Sequence, residues 1–408
     1  MPENIAQPNP NNESLQSISS EPSQPPKPEQ PSQGATYPSK KPVGNKKILK
    51  IVLIVLGIGL VLFAVWFFIL RKKFDIMSPF AEGGSDSGGS EKVINDLTGV
   101  IYTEKEAREW KDERPFGVMI NNYIDARPQA GLIDADLVYE IVAEGGITRF
   151  LSFFLTNSPE KIGPVRSARE YYLVLVKELS DAMIMHIGWS PQALYAIENW
   201  PVRSLQRGGC EFYEGCTWRD TSRDVAIEHT AYVDGTVLRE LGADLGWAGK
   251  GDITLWVFKD DTEKYASKPE STELSVDFWY EGDYSAIFKY DQKNNSYMRY
   301  MGYDESGEPI AHKDAESKDQ VEIKNVVVQF VAESPVVGDD KNRLEYELVG
   351  SGSALVFIDG KVIESTWSKE ERDSRTIFYD TDGNEIEFNR GKFWICIVPD
   401  RNVEQVVY

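Results

Sequence analysis

Residues Ile51 to Leu70 form an uninterrupted run of about twenty uncharged residues, most of them branched or aromatic. At helical rise this run just spans a hydrocarbon core of about 30 Å. It has no polar face, so it does not suit a helix lying half-buried on a globular core. Lys46, Lys47 and Lys50 stand before it, and Arg71, Lys72 and Lys73 follow. A signal peptide has a shorter apolar stretch near its start and small residues after it. The sequence therefore predicts an uncleaved transmembrane helix within residues 48–73.

The flanks set the expected orientation. Lys40 and Lys41 bring the positive charges on the N-terminal side to five, against three on the other. That excess places the N-terminus in the cytoplasm and everything after the helix outside the cell. Residues 1–47 are rich in Pro, Ser and Gln and too poor in large apolar residues to build a core, so they read as a disordered tail. Residues 74–92, with Gly83-Gly-Ser-Asp-Ser-Gly-Gly-Ser90, read as a flexible linker.

The whole chain carries −21, while residues 1–73 hold nine Lys/Arg against four Asp/Glu. The remainder is thus more acidic still, which argues against nonspecific binding to nucleic acid or an anionic lipid surface. Its length suits two domains, 93–249 and 250–408. In the first, β-rich runs at 116–120, 137–142, 150–155 and 182–187 alternate with helical stretches at 170–179 and 192–199, which reads as α/β or α+β. In the second, short strands recur with turn signals such as Asp359-Gly360, which reads as a small all-β barrel or sandwich. Cys210 and Cys216 can close a disulfide loop, and Cys396 reads as a buried free thiol. Three scattered histidines (His186, His229, His312) do not supply a zinc site.

The two halves differ in their choice of cation. Residues 105–239 contain eleven Arg and four Lys; residues 250–408 contain six Arg and thirteen Lys. A guanidinium grips carboxylate or phosphate oxygens bidentately, whereas a lysine suits a solvated surface. Pairing with local acids is the plainer use of these arginines. Arg166 and Arg169 are nevertheless expected at the start of a helix, with Ser167 as a possible cap, where the dipole disfavours cations. Arg149 follows a Gly145-Gly146 turn, and Arg127 lies in a polar loop after a strand. These four are the candidate ligand-binding residues, and His229 is a weak candidate for acid–base chemistry.

Several motifs carry a resemblance. Ala126-Arg-Pro-Gln-Ala-Gly-Leu132, Ala135-Asp-Leu-Val-Tyr-Glu140, Glu144-Gly-Gly-Ile-Thr-Arg-Phe150, Gly163-Pro-Val-Arg-Ser-Ala-Arg169 and Gly188-Trp-Ser-Pro-Gln-Ala193 resemble the YerB-like family of bacterial envelope proteins. Lys324-Asn-Val-Val-Val328, Gly350-Ser-Gly-Ser-Ala354 and Thr366-Trp-Ser-Lys369 resemble its second domain. The resemblance implies a two-domain envelope protein of unknown function and supplies no reaction. Members are commonly lipoproteins, whereas here a transmembrane helix stands in place of a lipidated cysteine. Ile227-Glu-His-Thr-Ala231 also departs from the expected pattern, which weakens a catalytic role for His229. The order of the arginines further looks like the layout of LytR-CpsA-Psr envelope enzymes, a fold-level analogy only.

Together these readings lead to an expectation. A membrane-anchored, outward-facing envelope protein would bind a phosphate-bearing wall precursor or glycopolymer through its arginines, with no cofactor and no metal. The alternatives are a scaffold that holds other envelope proteins, and a transferase or hydrolase acting on wall material.

Overall fold

The computed structural model describes residues 92–261, 269 and 271–408. The expected tail, the apolar run at 51–70 and all but the last residue of the linker lie outside the described residues. Among the described residues no helix is long and apolar enough to cross a membrane.

The first segment supplies β1 (Phe116–Asn121), β2 (Leu137–Glu144), β3 (Ile147–Phe154), α1 (Glu170–Lys177), β4 (Met183–Met185), α2 (Pro191–Asn199), β5 (Arg203–Ser204), β6 (Thr217–Arg219), β7 (Ala231–Val233) and α3 (Gly235–Asp244). Local chemistry starts the last two helices. Ser190 caps α2, with Pro191 in its first turn, and Asp234 caps α3 by accepting from Thr236 N and Val237 N. Gly145 and Gly146, both at positive φ, close the β2–β3 hairpin.

The second segment supplies β8 (Glu273–Val276), β9 (Ala286–Asp291), β10 (Ser296–Tyr303), β11 (Pro309–Ala311), β12 (Glu322–Ile323), β13 (Asn325–Val331), β14 (Glu333–Pro335) and β15 (Leu344–Tyr346). It ends with β16 (Gly350–Ile358), β17 (Lys361–Lys369), β18 (Ile377–Asp380), β19 (Phe393–Pro399) and β20 (Val406–Val407).

These strands form no closed barrel. One ten-stranded sheet runs β18-β17-β16-β13-β19-β2-β3-β1-β4-β5, so the two segments meet inside it. The seam is the parallel pair β2·β19, from Leu137 opposite Phe393 to Ile141 opposite Ile397. A second open sheet, β11-β10-β9-β8-β20 with β12 beside β10, comes from the second segment. The small separate all-β barrel expected from the turn spacing is therefore corrected. Five of its strands extend the sheet begun by the first segment, and the described residues pack as one compact unit.

Both faces of the long sheet are covered, which is why β2 and β13 read as continuous apolar runs. Tyr139, Ile141, Leu151 and Phe153 face one core with α1 and α2. Val138, Val142, Phe150 and Phe154 face the other, with α3 and the second sheet. Strands β1, β2, β4, β13 and β19 run the same way. Their carboxyl ends share one edge, the usual address of ligands on open sheets with this strand sense.

Candidate functional site

Three of the four candidate arginines gather at that carboxyl edge. Arg149 sits in β3 opposite Asn121 of β1 and Ile141 of β2. Its Nη2 donates to Glu144 Oε2 at 2.8 Å and its Nη1 to the Ser167 carbonyl at 2.9 Å. Arg169 donates from Nε to Glu144 Oε1 at 2.5 Å and from Nη1 to the Ala168 carbonyl at 2.8 Å. Two guanidiniums thus share one carboxylate, leaving a surplus positive charge. Burial pushes the Arg149 guanidinium down to about 10; Arg169 acts in the same direction and Glu144 opposes it.

Arg166 adds a third guanidinium. The segment carrying it is not the helix start that the sequence suggests. Residues 163–169 form an extended strap stitched to β1 and β7: Asn121 N donates to Pro164 O, Arg166 N to Met119 O, and Val165 N to Ala231 O. Gly163 is required there, because its φ is +147° and an added Cβ would lie 2.8 Å from Ala231 O. Helix α1 begins at Glu170 with Arg169 as an uncapped N-cap, and the Ser167 hydroxyl donates to Ile187 O instead. Among the described residues the partly buried Arg166 guanidinium makes no ion pair and no side-chain hydrogen bond. Burial lowers its pKa; Glu228 raises it, and Arg169 lowers it further. Glu228 also feels the charges of His229 and Arg219, which with Arg166 lower its pKa after a backbone hydrogen bond as the first cause.

The opposite face of the same sheet holds a different constellation. Glu140, Arg299 and His312 are fully buried. Arg299 Nη2 donates to Glu140 Oε2 at 2.7 Å and Nη1 to His312 Nδ1 at 2.5 Å. His312 must then carry its proton on Nε2, which faces Gln129 Oε1 at 3.0 Å. Gln129 Nε2 donates to Asn122 Oδ1, Asn122 Nδ2 to Thr148 Oγ1, and Thr148 Oγ1 back to Glu140 Oε1. Trp394 Nε1 completes the carboxylate at 2.9 Å, and its ring lies 4.1 Å below the Arg299 guanidinium. This closed ring of hydrogen bonds ties the first segment to the second.

Three comparisons with known proteins bear on these residues. The family described as "Protein of unknown function (DUF3048)" matches through its N-terminal domain at residues 97–248 and its C-terminal domain at 274–395. The Bacillus subtilis (strain 168) protein named "Putative lipoprotein YerB" is 32% identical over 319 residues, covering 78% of this chain and 89% of that protein. The chain belongs to the YerB-like family. A crystal structure of Bacillus subtilis YerB superimposes with a TM-score of 0.64 at 30% identity, covering 78% of this chain and 99% of that one.

The motifs that carry the YerB-like resemblance divide between the two constellations. Gln129, Glu140 and Thr148 enter the interior ring, whereas Glu144, Arg149, Arg166 and Arg169 form the edge cluster. Arg127 does not join that cluster. Its Nε donates to Asn122 O and Oδ1, its Nη2 to Asp283 O at 2.7 Å, and its guanidinium stacks over Tyr284. Burial lowers it to about 10, Arg299 acts in the same direction, and Glu140 and Asp283 oppose it. His229 does lie beside Arg166, but Asn121 Nδ2 donates to its Nδ1 at 2.8 Å and Tyr123 stacks on it at 4.8 Å.

His186 forms a pair that sequence reading missed. Its Nε2 lies 2.8 Å from Ser204 Oγ and its Nδ1 2.9 Å from Gly188 O. This is the relation of a base to a hydroxyl nucleophile, yet both residues are buried. Burial pushes His186 down to about 4. Cys210 and Cys216 are bonded, with Cα atoms 5.4 Å apart, and Cys396 is a buried free thiol.

Proposed function

We propose that the chain is an outward-facing envelope protein, held by the apolar span at 51–70, whose edge cluster binds a phosphate-bearing wall precursor or glycopolymer. The observation that carries this reading is the Arg166 guanidinium, which has no side-chain partner among the described residues and stands beside two arginines sharing one carboxylate. That positive charge would attract an anion, and here it sits within an otherwise strongly acidic domain. The lipoprotein name of the Bacillus relative supports an envelope location.

Arg166 contacts the anion in this reading, while Arg149 and Arg169 position positive charge behind it. Arg127 is left out. The Glu144 pairings favour a second reading, in which these arginines only stiffen a scaffold. Calorimetric titration of the full-length chain with farnesyl pyrophosphate separates the two. Binding that weakens at least about tenfold in Arg166→Lys supports the site, since lysine keeps the charge and loses the planar fork. No binding by the unmodified chain leaves the scaffold.

A further inference from the structure

A cleft of 290 Å³ lies beside the edge cluster, between the N-terminal ends of α1 and α2 and the β14–β15 hairpin. Its walls include Arg169, Glu170 and Gln192 on one side and the continuous stretch Arg343–Glu347 on the other. Side chains of a strand alternate between faces, so a cavity touching five successive residues meets the strand along its edge.

That edge is open. Among the described residues strand β15 pairs only with β14, in a two-stranded ladder. Val336 N donates to Arg343 O and Glu347 N to Ala332 O, which directs the backbone groups of Arg343, Glu345 and Glu347 towards β14. By alternation the N–H and C=O of Leu344 and Tyr346 point the other way, and no described residue hydrogen-bonds to them. Gln192 Oε1 and Arg343 Nε, both shielded from solvent on residues of the cleft walls, also lack a hydrogen-bond partner among the described residues. A row of donors and acceptors along a cleft matches the backbone of an added strand.

Charge selects the occupant. Arg169 is committed to Glu144 and Arg343 to Asp339. Glu170, Glu345 and Glu347 make no ion pair with a described residue, and burial followed by the nearness of Glu345 raises the Glu170 pKa. We infer that this cleft binds an extended peptide with basic side chains, which adds to the outer edge of β15 and is drawn in by these three carboxylates. The inference goes beyond the anion site and does not depend on it.

The test uses the full-length chain and fluorescently labelled Ac-Lys-Val-Lys-Val-Lys-Val-NH₂, followed by polarisation. Two further peptides carry N-methyl groups on the three lysine nitrogens or on the three valine nitrogens. Only one alternate set of N–H groups can face β15, so one methylated peptide should bind at least tenfold more weakly and the other nearly as well as the parent. Glu170→Gln with Glu345→Gln should weaken the parent peptide several-fold, and the Glu-Val counterpart should not bind. Binding unaffected by either methylation, weakened equally by both, or absent for the parent peptide would overturn the inference. Loss of the acidic pair without effect would overturn its electrostatic half. Unchanged peptide affinity in Arg166→Lys keeps this result distinct from the anion site.

Discussion

Thr148 and Arg149 are neighbours in one strand, yet they serve opposite kinds of charge cluster. Thr148 turns into the sealed ring of Glu140, Arg299 and His312, where carboxylate, guanidinium and imidazole are linked in one circuit. Arg149 turns to the other face, where two arginines share one carboxylate and a third has no side-chain partner. A closed interior circuit fixes how two segments join. In the proposed reading, an open surplus at the carboxyl edge of a sheet receives an anion from outside. Arginine-rich composition did not distinguish the two; partner geometry does.

The largest effect should come from breaking the ring. Glu140→Gln leaves the Arg299 guanidinium buried without its counter-charge and should cost about 3–5 kcal/mol in urea unfolding. Replacing Glu140 and Arg299 together by methionine should cost much less, because neither charge is then stranded. Equal losses in the single and double variants would refute the circuit as described.

Acid should act next. Burial holds His186 down to about 4 and His312 well below its usual value. The unfolded chain takes up protons below about pH 6.5 that these folded histidines refuse, so stability falls as pH falls through that window. His186 alone accounts for up to about 3 kcal/mol between pH 6.5 and 4, with His312 adding in the same direction. In His186→Gln the loss between pH 7 and 4.5 should shrink by roughly 2 kcal/mol, as measured by urea unfolding at both values.

At the edge cluster, Glu144→Gln should destabilise by about 1–3 kcal/mol, since Arg149 and Arg169 lose a charged acceptor. It should also make the site more attractive to anions, the opposite sign from any change that removes an arginine. Arg166→Gln should leave the unfolding free energy within about 0.5 kcal/mol, because no described side chain depends on it.

Local chemistry made much of the fold readable. The caps at Ser190 and Asp234, the Gly145-Gly146 turn and the long apolar strands all stand where their residues suggest. The seam between β2 and β19 was not readable, because a parallel pairing across more than two hundred residues leaves no local mark. For the same reason Glu140 could be seen as a carboxylate in an apolar strand, while Arg299 and His312 could not be named as its partners. The sequence around Arg166 and Arg169 suggests the start of a helix. Backbone pairing with β1 and β7 instead drew residues 163–169 into an extended strap, a tertiary demand that overrides helix propensity. Arg127 looked like a binding residue for its loop position, and it is spent on Asn122 and Asp283.

Titration of the full-length chain with inorganic pyrophosphate at fixed ionic strength, in the unmodified protein, Arg166→Gln and Glu144→Gln, sets the edge cluster against the ring. If surplus guanidinium charge makes the site, Arg166→Gln binds at least about tenfold more weakly and Glu144→Gln binds more tightly than the unmodified chain. Identical affinities in all three, or no binding by the unmodified protein, would contradict it and leave the edge arginines as structural as those of the ring.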